Sequence, residues 1–231
     1  MADAQSRREQ LERRQAAWLG CEKCALSETR TQVVVGSGDP DSDLMFVGEA
    51  PGFHEDKQGI PFVGQAGKLL ETLLAEIDLR RDQVFIANVL KCRPPGNRDP
   101  QYAEIEACQG KLFDQIQLIQ PRVVCTLGNF ATKLLSGSET GITRVRGRAQ
   151  THTFGDVTVQ LFPIYHPAAA LYTPAMMETL RGDFASIPAL LGGVAPVEPA
   201  AAAPQSAAPI EQLPALVATA PEPEPAQLGL F

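Results

Sequence analysis

Several residues able to handle a polar ligand fall where short apolar runs stop. Leu44–Val47 runs into Gly48-Glu49-Ala50-Pro51-Gly52, and Val84–Leu90 carries Asn88 near its end before Lys91-Cys92-Arg93-Pro94-Pro95-Gly96-Asn97-Arg98. A third run, Val157–Ile164, delivers Tyr165-His166-Pro167. An amide offers a donor and an acceptor at once, and an imidazole or carboxylate can move or hold a proton. Glu55 and Asp56 follow the glycine turn, and Phe62 stands between Pro61 and Val63. Small backbone, acid and aromatic are thus offered together after one strand. A separate group is made of thiols: Cys21 and Cys24 form a CxxC, and Cys92 and Cys108 lie 16 positions apart. Four thiolates can bind one metal centre, and their spacing alone fits either zinc or an iron–sulfur cluster. Cys125, inside Arg-Val-Val-Cys-Thr-Leu-Gly, reads as a buried hydrophobe.

The elements that must position these groups alternate. Strands are expected at Leu44–Gly48, Val84–Leu90, Arg122–Leu127 and Val157–Ile164, each nearly continuous in apolar residues, as strands covered on both faces are. Helices are expected at 7–18, 65–78, 101–119, 129–136 and 174–186; the second shows Leu69, Leu70, Leu73, Leu74 and Ile77, a core-facing stripe. Such alternation predicts a three-layer α/β/α sandwich around a parallel sheet. Ligands in such folds sit beyond the carboxyl ends of the strands, where Gly48, Asn88 and His166 all arrive.

The chain has 231 residues, 44% of them hydrophobic, and a net charge of −7. The acidity is uneven. Residues 194–231 hold four acids and no Lys or Arg, so the rest, with 23 acids and 20 bases, carries −3. Bases gather at Lys91, Arg93 and Arg98 and again at Arg144, Arg146 and Arg148, and local clusters can hold phosphates on an acidic protein. An odd number of cysteines, no apolar h-region and no membrane-length apolar run predict a cytoplasmic protein. Eleven Ala and eight Pro in the last 38 residues predict a disordered tether after a folded body that ends near residue 192.

Gly-Glu-Ala-Pro-Gly, then Glu-Asp-Lys-Gln-Gly-Ile-Pro-Phe-Val-Gly, then Asn-Val-Leu-Lys-Cys-Arg-Pro-Pro-Gly-Asn-Arg-Asp-Pro, then Tyr-His-Pro, together with the cysteine spacing, resemble the family 4 uracil-DNA glycosylases. These are the iron–sulfur branch of their superfamily. The resemblance covers about residues 15–188. It implies a central four-stranded parallel sheet and a [4Fe-4S] cluster held by Cys21, Cys24, Cys92 and Cys108. It implies an enzyme that flips uracil out of DNA and hydrolyses its glycosidic bond, starting base excision repair, and with no sequence feature pointing to an oligomer a monomer is expected. Gly48, Glu49 and Ala50 would line the pocket, Phe62 would stack on the base, Asn88 would read its edge and His166 would lie near O2. Of Glu49, Glu55 and Asp56 as the carboxylate beside C1′, the resemblance favours Glu55. Arg93, Arg98 and Arg146 are expected on DNA, with Leu171 as a wedge in the gap left by the flipped nucleotide. The family more often has Ser-Tyr where this chain has Ala168-Ala169.

The last five residues, Gln227-Leu228-Gly229-Leu230-Phe231, resemble the peptide by which bacterial repair proteins dock on the sliding clamp. The organisation expected is a glycosylase domain at 1–192, a tether at 193–226 and a clamp-binding peptide at 227–231. The alternative is a non-catalytic DNA- or clamp-binding module of the same fold.

Overall fold

A computed structural model describes residues 3–171 and 173–192. The tether and Gln227, Leu228, Leu230 and Phe231 lie outside the described residues. In chain order the elements are α1 (Ala4–Trp18), β1 (Ser37–Gly38), β2 (Leu44–Gly48), α2 (Phe53–Gln58), α3 (Gln65–Ala75), β3 (Phe85–Asn88) and α4 (Tyr102–Ile119). They continue as β4 (Val123–Leu127), α5 (Asn129–Ser136), α6 (Ile142–Val145), β5 (Gln150–Phe154), β6 (Val157–Ile164), α7 (Pro167–Ala170) and α8 (Pro174–Leu191). Among the described residues no helix is long and apolar enough to cross a membrane.

The sheet runs in the order β1-β3-β2-β4-β6-β5. Its inner four strands, β3, β2, β4 and β6, are parallel, and they are the four apolar runs of the sequence. The expectation of a four-stranded sheet is corrected to six. β1 joins β3 antiparallel through Ser37 and Gly38, and β5 joins β6 antiparallel along Gln150–Phe154. Neither added strand has an apolar run. β1 is two small residues, and β5 is a half-exposed polar edge strand, which needs a neighbour on one side only.

Alternation along the inner strands splits the core into two layers. Met45, Val47, Phe85, Ala87 and Val124 face one side, with Leu11 of α1, Leu112 and Ile116 of α4, and Leu135 of α5. Leu44, Phe46, Ile86, Val123 and Cys125 face the other, with Leu70, Leu73 and Leu74 of α3 and Leu180, Phe184 and Ile187 of α8. Phe46 and Phe184 stack with ring centroids 5.7 Å apart. Each such fully buried side chain contributes about 1.5–3 kcal/mol. The outcome is a rigid three-layer sandwich whose strand ends hold the loops described next.

Candidate active site

The carboxyl ends of β2, β3 and β6 open onto a cleft of about 350 Å³, lined among others by Glu49, Ala50, Glu55, Phe62, Asn88, Arg98 and His166. Parallel register places Gly48 beside Asn88. A Cβ on Gly48 would lie 2.4 Å from Asn88 Oδ1 and 2.7 Å from Phe62 Cζ, so only a residue without a side chain leaves room for the amide and the ring where they stand. Asn88 is 2% exposed, and its Oδ1 is buried with no hydrogen-bond partner. Leaving such an acceptor unpaired costs about 1–3 kcal/mol, which makes it a point where a ligand donor is favoured.

Phe62 has a φ of 53°, in the left-handed region that a bulky residue rarely adopts. Its neighbours enforce this. Arg81 Nη1 donates to Phe62 O (2.8 Å) and its Nη2 donates to Pro61 O, while Glu55 Oε1 accepts from Val63 N–H (2.9 Å) and Gly64 N–H (2.8 Å). Glu55 therefore anchors the loop that presents the ring. The Phe62 and His166 rings lie 5.5 Å apart and 28° from parallel, forming one wall of the cleft.

His166 caps α7, and its Nδ1 accepts from Ala168 N–H at 3.1 Å. That bond places the ring proton on Nε2. Burial lowers the imidazole pKa to about 4, against a smaller upward pull from Glu55, so the ring is a neutral donor near pH 7. Glu49 is shifted the other way. Burial, then the charge of Asp99, raise its carboxyl to about 7. No donor among the described residues is hydrogen-bonded to the Glu49 carboxylate, so it remains available to a water or a cation.

The basic residues divide. Arg98 lines the cleft but is bound to Glu104 through two contacts of 3.0 and 2.5 Å. Arg93 lies over the exposed Phe53 ring at 5.2 Å and donates to Asn97 Oδ1 at 2.7 Å. The structure does not bring Arg146 to the cleft: it pairs with Asp183 at 2.8 and 3.2 Å and covers Tyr165. Leu171 ends α7, one turn beyond His166, and is not among the lining residues. Asp56 is buried and accepts from Thr31 N–H at 2.9 Å, facing away from the cleft. Asn97, part of the loop motif after Asn88, and Ala66 also line the cleft, and the sequence assigned neither a role.

Cys21, Cys24, Cys92 and Cys108 line a second, smaller cavity together with Lys23, Arg30, Lys91 and Lys111. Cys125 is elsewhere, fully buried in β4. Lys91 N–H points at Cys108 Sγ (3.3 Å) and Arg30 Nη1 at Cys92 Sγ (3.6 Å). Burial would raise the Cys21 thiol, but Lys23 N–H and the Lys111 ammonium outweigh it and leave its pKa lowered. Burial pushes Cys92 to about 11 despite Arg30. Among the described residues no three His, Cys, Asp or Glu side chains converge as a single ion requires. Four thiols line a cavity ringed by cations and N–H donors, a donor set that suits a thiolate-bound metal centre.

The family model of the Uracil DNA glycosylase superfamily matches residues 35–185. The type-4 uracil-DNA glycosylase of Sulfurisphaera tokodaii is 49% identical over 174 residues, covering 73% of this chain and 79% of that protein. The type-4 enzyme of Archaeoglobus fulgidus is 46% identical, covering 75% and 89%. A type-5 uracil-DNA glycosylase of Thermus thermophilus is 33% identical over a shorter stretch, 44% of this chain and 53% of that protein. With a matching family model across the sheet and the cleft, and relatives of this similarity, the chain belongs to the uracil-DNA glycosylase superfamily, in its type-4 branch.

Proposed function

We propose that this protein excises uracil from DNA, hydrolysing the bond between the base and C1′ and leaving an abasic site. The observation that carries the assignment at this site is the unpartnered, buried Asn88 Oδ1 beside Phe62 and His166. A flipped uracil stacks on Phe62, gives N3–H to Asn88 Oδ1 and accepts from Asn88 Nδ2 at O4. As the N1–C1′ bond breaks, its electron pair moves onto the base. His166, neutral with its proton on Nε2, donates to O2 and stabilises the anion without protonating it. The sugar becomes cationic. Glu49, ionised, faces that charge, holds the attacking water and takes its proton as the new C1′–O bond forms.

Glu49 takes the role for which sequence resemblance favoured Glu55, because one Glu55 oxygen is committed to Val63 and Gly64. Glu55 acts on the reaction by fixing Phe62. Among the described residues no lysine lines the cleft, which supports hydrolysis without a Schiff base and with the strand left intact. Arg93 and Arg98 approach the DNA backbone beside the cleft, and Leu171 fills the space of the flipped nucleotide.

Cys21, Cys24, Cys92 and Cys108 hold a [4Fe-4S] cluster, which supplies a rigid cross-link between the N-terminal segment, the loop after β3 and α4. The glycosylase domain spans residues 1–192. Residues 193–226 form its tether, and Gln227, Leu228, Leu230 and Phe231 dock on the sliding clamp; the match of the terminal peptide to such docking motifs supports this part.

The test is an oligonucleotide with one uracil, incubated with the protein and then heated in alkali. The reading expects cleavage only after alkali, and a loss of at least 100-fold in the single-turnover rate for Asn88→Ala and His166→Ala. No alkali-labile site with iron-loaded protein, on single- or double-stranded substrate, overturns it in favour of a non-catalytic module.

A further inference from the structure

Lys91 is 1% exposed and lines no part of the cleft, yet it is three residues from Asn88. Its side chain folds back. Nζ donates to the backbone O of Asn88 at 2.8 Å and to Gln115 Oε1 on α4 at 2.6 Å. Gln115, itself fully buried, donates from Nε2 to Val35 O at 2.5 Å, and Val34 N–H donates to Lys91 O at 2.7 Å. The Lys91 N–H is directed at Cys108 Sγ. One residue therefore touches the strand end that carries Asn88, the helix behind it, the segment before β1 and a cysteine of the second cavity.

The sheet explains why a long polar side chain is needed there. Val89 N–H turns to Gly48 O in β2 (2.9 Å), so alternation leaves the Asn88 carbonyl facing the opposite edge. On that edge β1 pairs only with Phe85 and Ile86. The Asn88 carbonyl has outrun its neighbouring strand, and a buried carbonyl without a donor is costly. Lys91 Nζ takes the place of the missing strand and ties the carbonyl to Gln115.

The geometry points to Lys91 and Gln115 as positioning residues for base recognition, holding the Asn88 backbone so that its amide faces the cleft. The inference rests on the uracil reading of that cleft. It extends the reading to two residues that touch no substrate and that also contact the wall of the cysteine cavity.

The test compares Lys91→Met, which keeps the stem and removes the donor, with the gentler Gln115→Leu and the conservative Gln115→Glu. Two ligands are used, free uracil as inhibitor and an oligonucleotide carrying a stable abasic-site analogue. Visible absorbance of the iron–sulfur centre is followed in each variant. The expected result is at least tenfold weaker uracil inhibition in Lys91→Met and Gln115→Leu, and affinity for the abasic oligonucleotide within twofold of wild type. Absorbance per protein should be unchanged, and Gln115→Glu, which keeps the acceptor for Lys91 Nζ but loses the donor to Val35 O, should be inhibited by uracil more strongly than Gln115→Leu. Equal uracil inhibition in wild type, Lys91→Met and Gln115→Leu overturns the proposal. So does a parallel loss for both ligands, which would mark Lys91 as a support of the fold alone. If wild type itself neither excises nor binds uracil, the underlying functional reading fails instead, so the two failures are distinguishable.

Discussion

Glu49 makes the sharpest demand on the pH profile. Burial and the charge of Asp99 raise its carboxyl to about 7, while His166 sits near 4. If Glu49 must be ionised to hold water, kcat/KM rises with pH through the Glu49 pKa, because that ratio reports groups of the free enzyme. A group titrating at about 7 is roughly 90% ionised at pH 8 and about 1% at pH 5, so kcat/KM should fall about 90-fold between them. A carboxylate at its ordinary value would lose only about a quarter over the same range, and the imidazole would place its limb below pH 5. The assay is uracil release at sub-saturating substrate from pH 4.5 to 9 at constant ionic strength. Glu49→Gln should lower the plateau and erase the limb, and Asp99→Asn should move it to lower pH. A wild-type profile flat from pH 5 to 8, or a limb that survives in Glu49→Gln, refutes the assignment of Glu49.

Further expectations follow from the same contacts. Because folding raises the Glu49 pKa, the folded state binds the extra proton between about pH 4.5 and 7 and loses stability as pH rises through that window. Glu49→Gln should therefore melt higher than wild type at pH 8, with the gap closing at pH 5. Gly48→Ala pushes a methyl group against Asn88 and Phe62 and should cost about 100-fold in rate by misplacing both, read in single-turnover excision. Arg146→Ala strips the partner from Asp183, 5% exposed, and should lower unfolding free energy by about 3 kcal/mol in urea titration with DNA affinity unchanged. Iron content should fall sharply on Ser substitution at Cys21, Cys24, Cys92 or Cys108 and stay constant for Cys125→Ser, measured by metal analysis.

The inner strands were legible because buried parallel strands are apolar throughout, and Leu44–Gly48 or Val123–Leu127 cannot be read otherwise. β5 was not, since Gln-Thr-His-Thr-Phe has polar residues facing both ways and pairs on one side only. α2 was hidden for a related reason: Phe53–Gln58 is charged and short, and it buries only Asp56. At the cleft, Asn88 and His166 could be picked out because Asn88 is the polar residue near the end of one apolar run and His166 comes two residues after another. The anchoring role of Glu55 could not, because its partners Val63 and Gly64 come within reach only when the loop folds back. Arg146 misled for the same reason, its partner Asp183 being 37 positions away. Sequence patterns report which residues reach the strand ends; they do not report which of those residues the fold has already bound.

The most direct test of the central claim is a structure of the iron-loaded protein with free uracil. The account predicts one uracil in the cleft, its ring on Phe62, N3 and O4 within hydrogen-bond distance of the Asn88 amide, and O2 beside His166 Nε2. Uracil bound anywhere else, or an Asn88 amide turned away from it, would contradict the account.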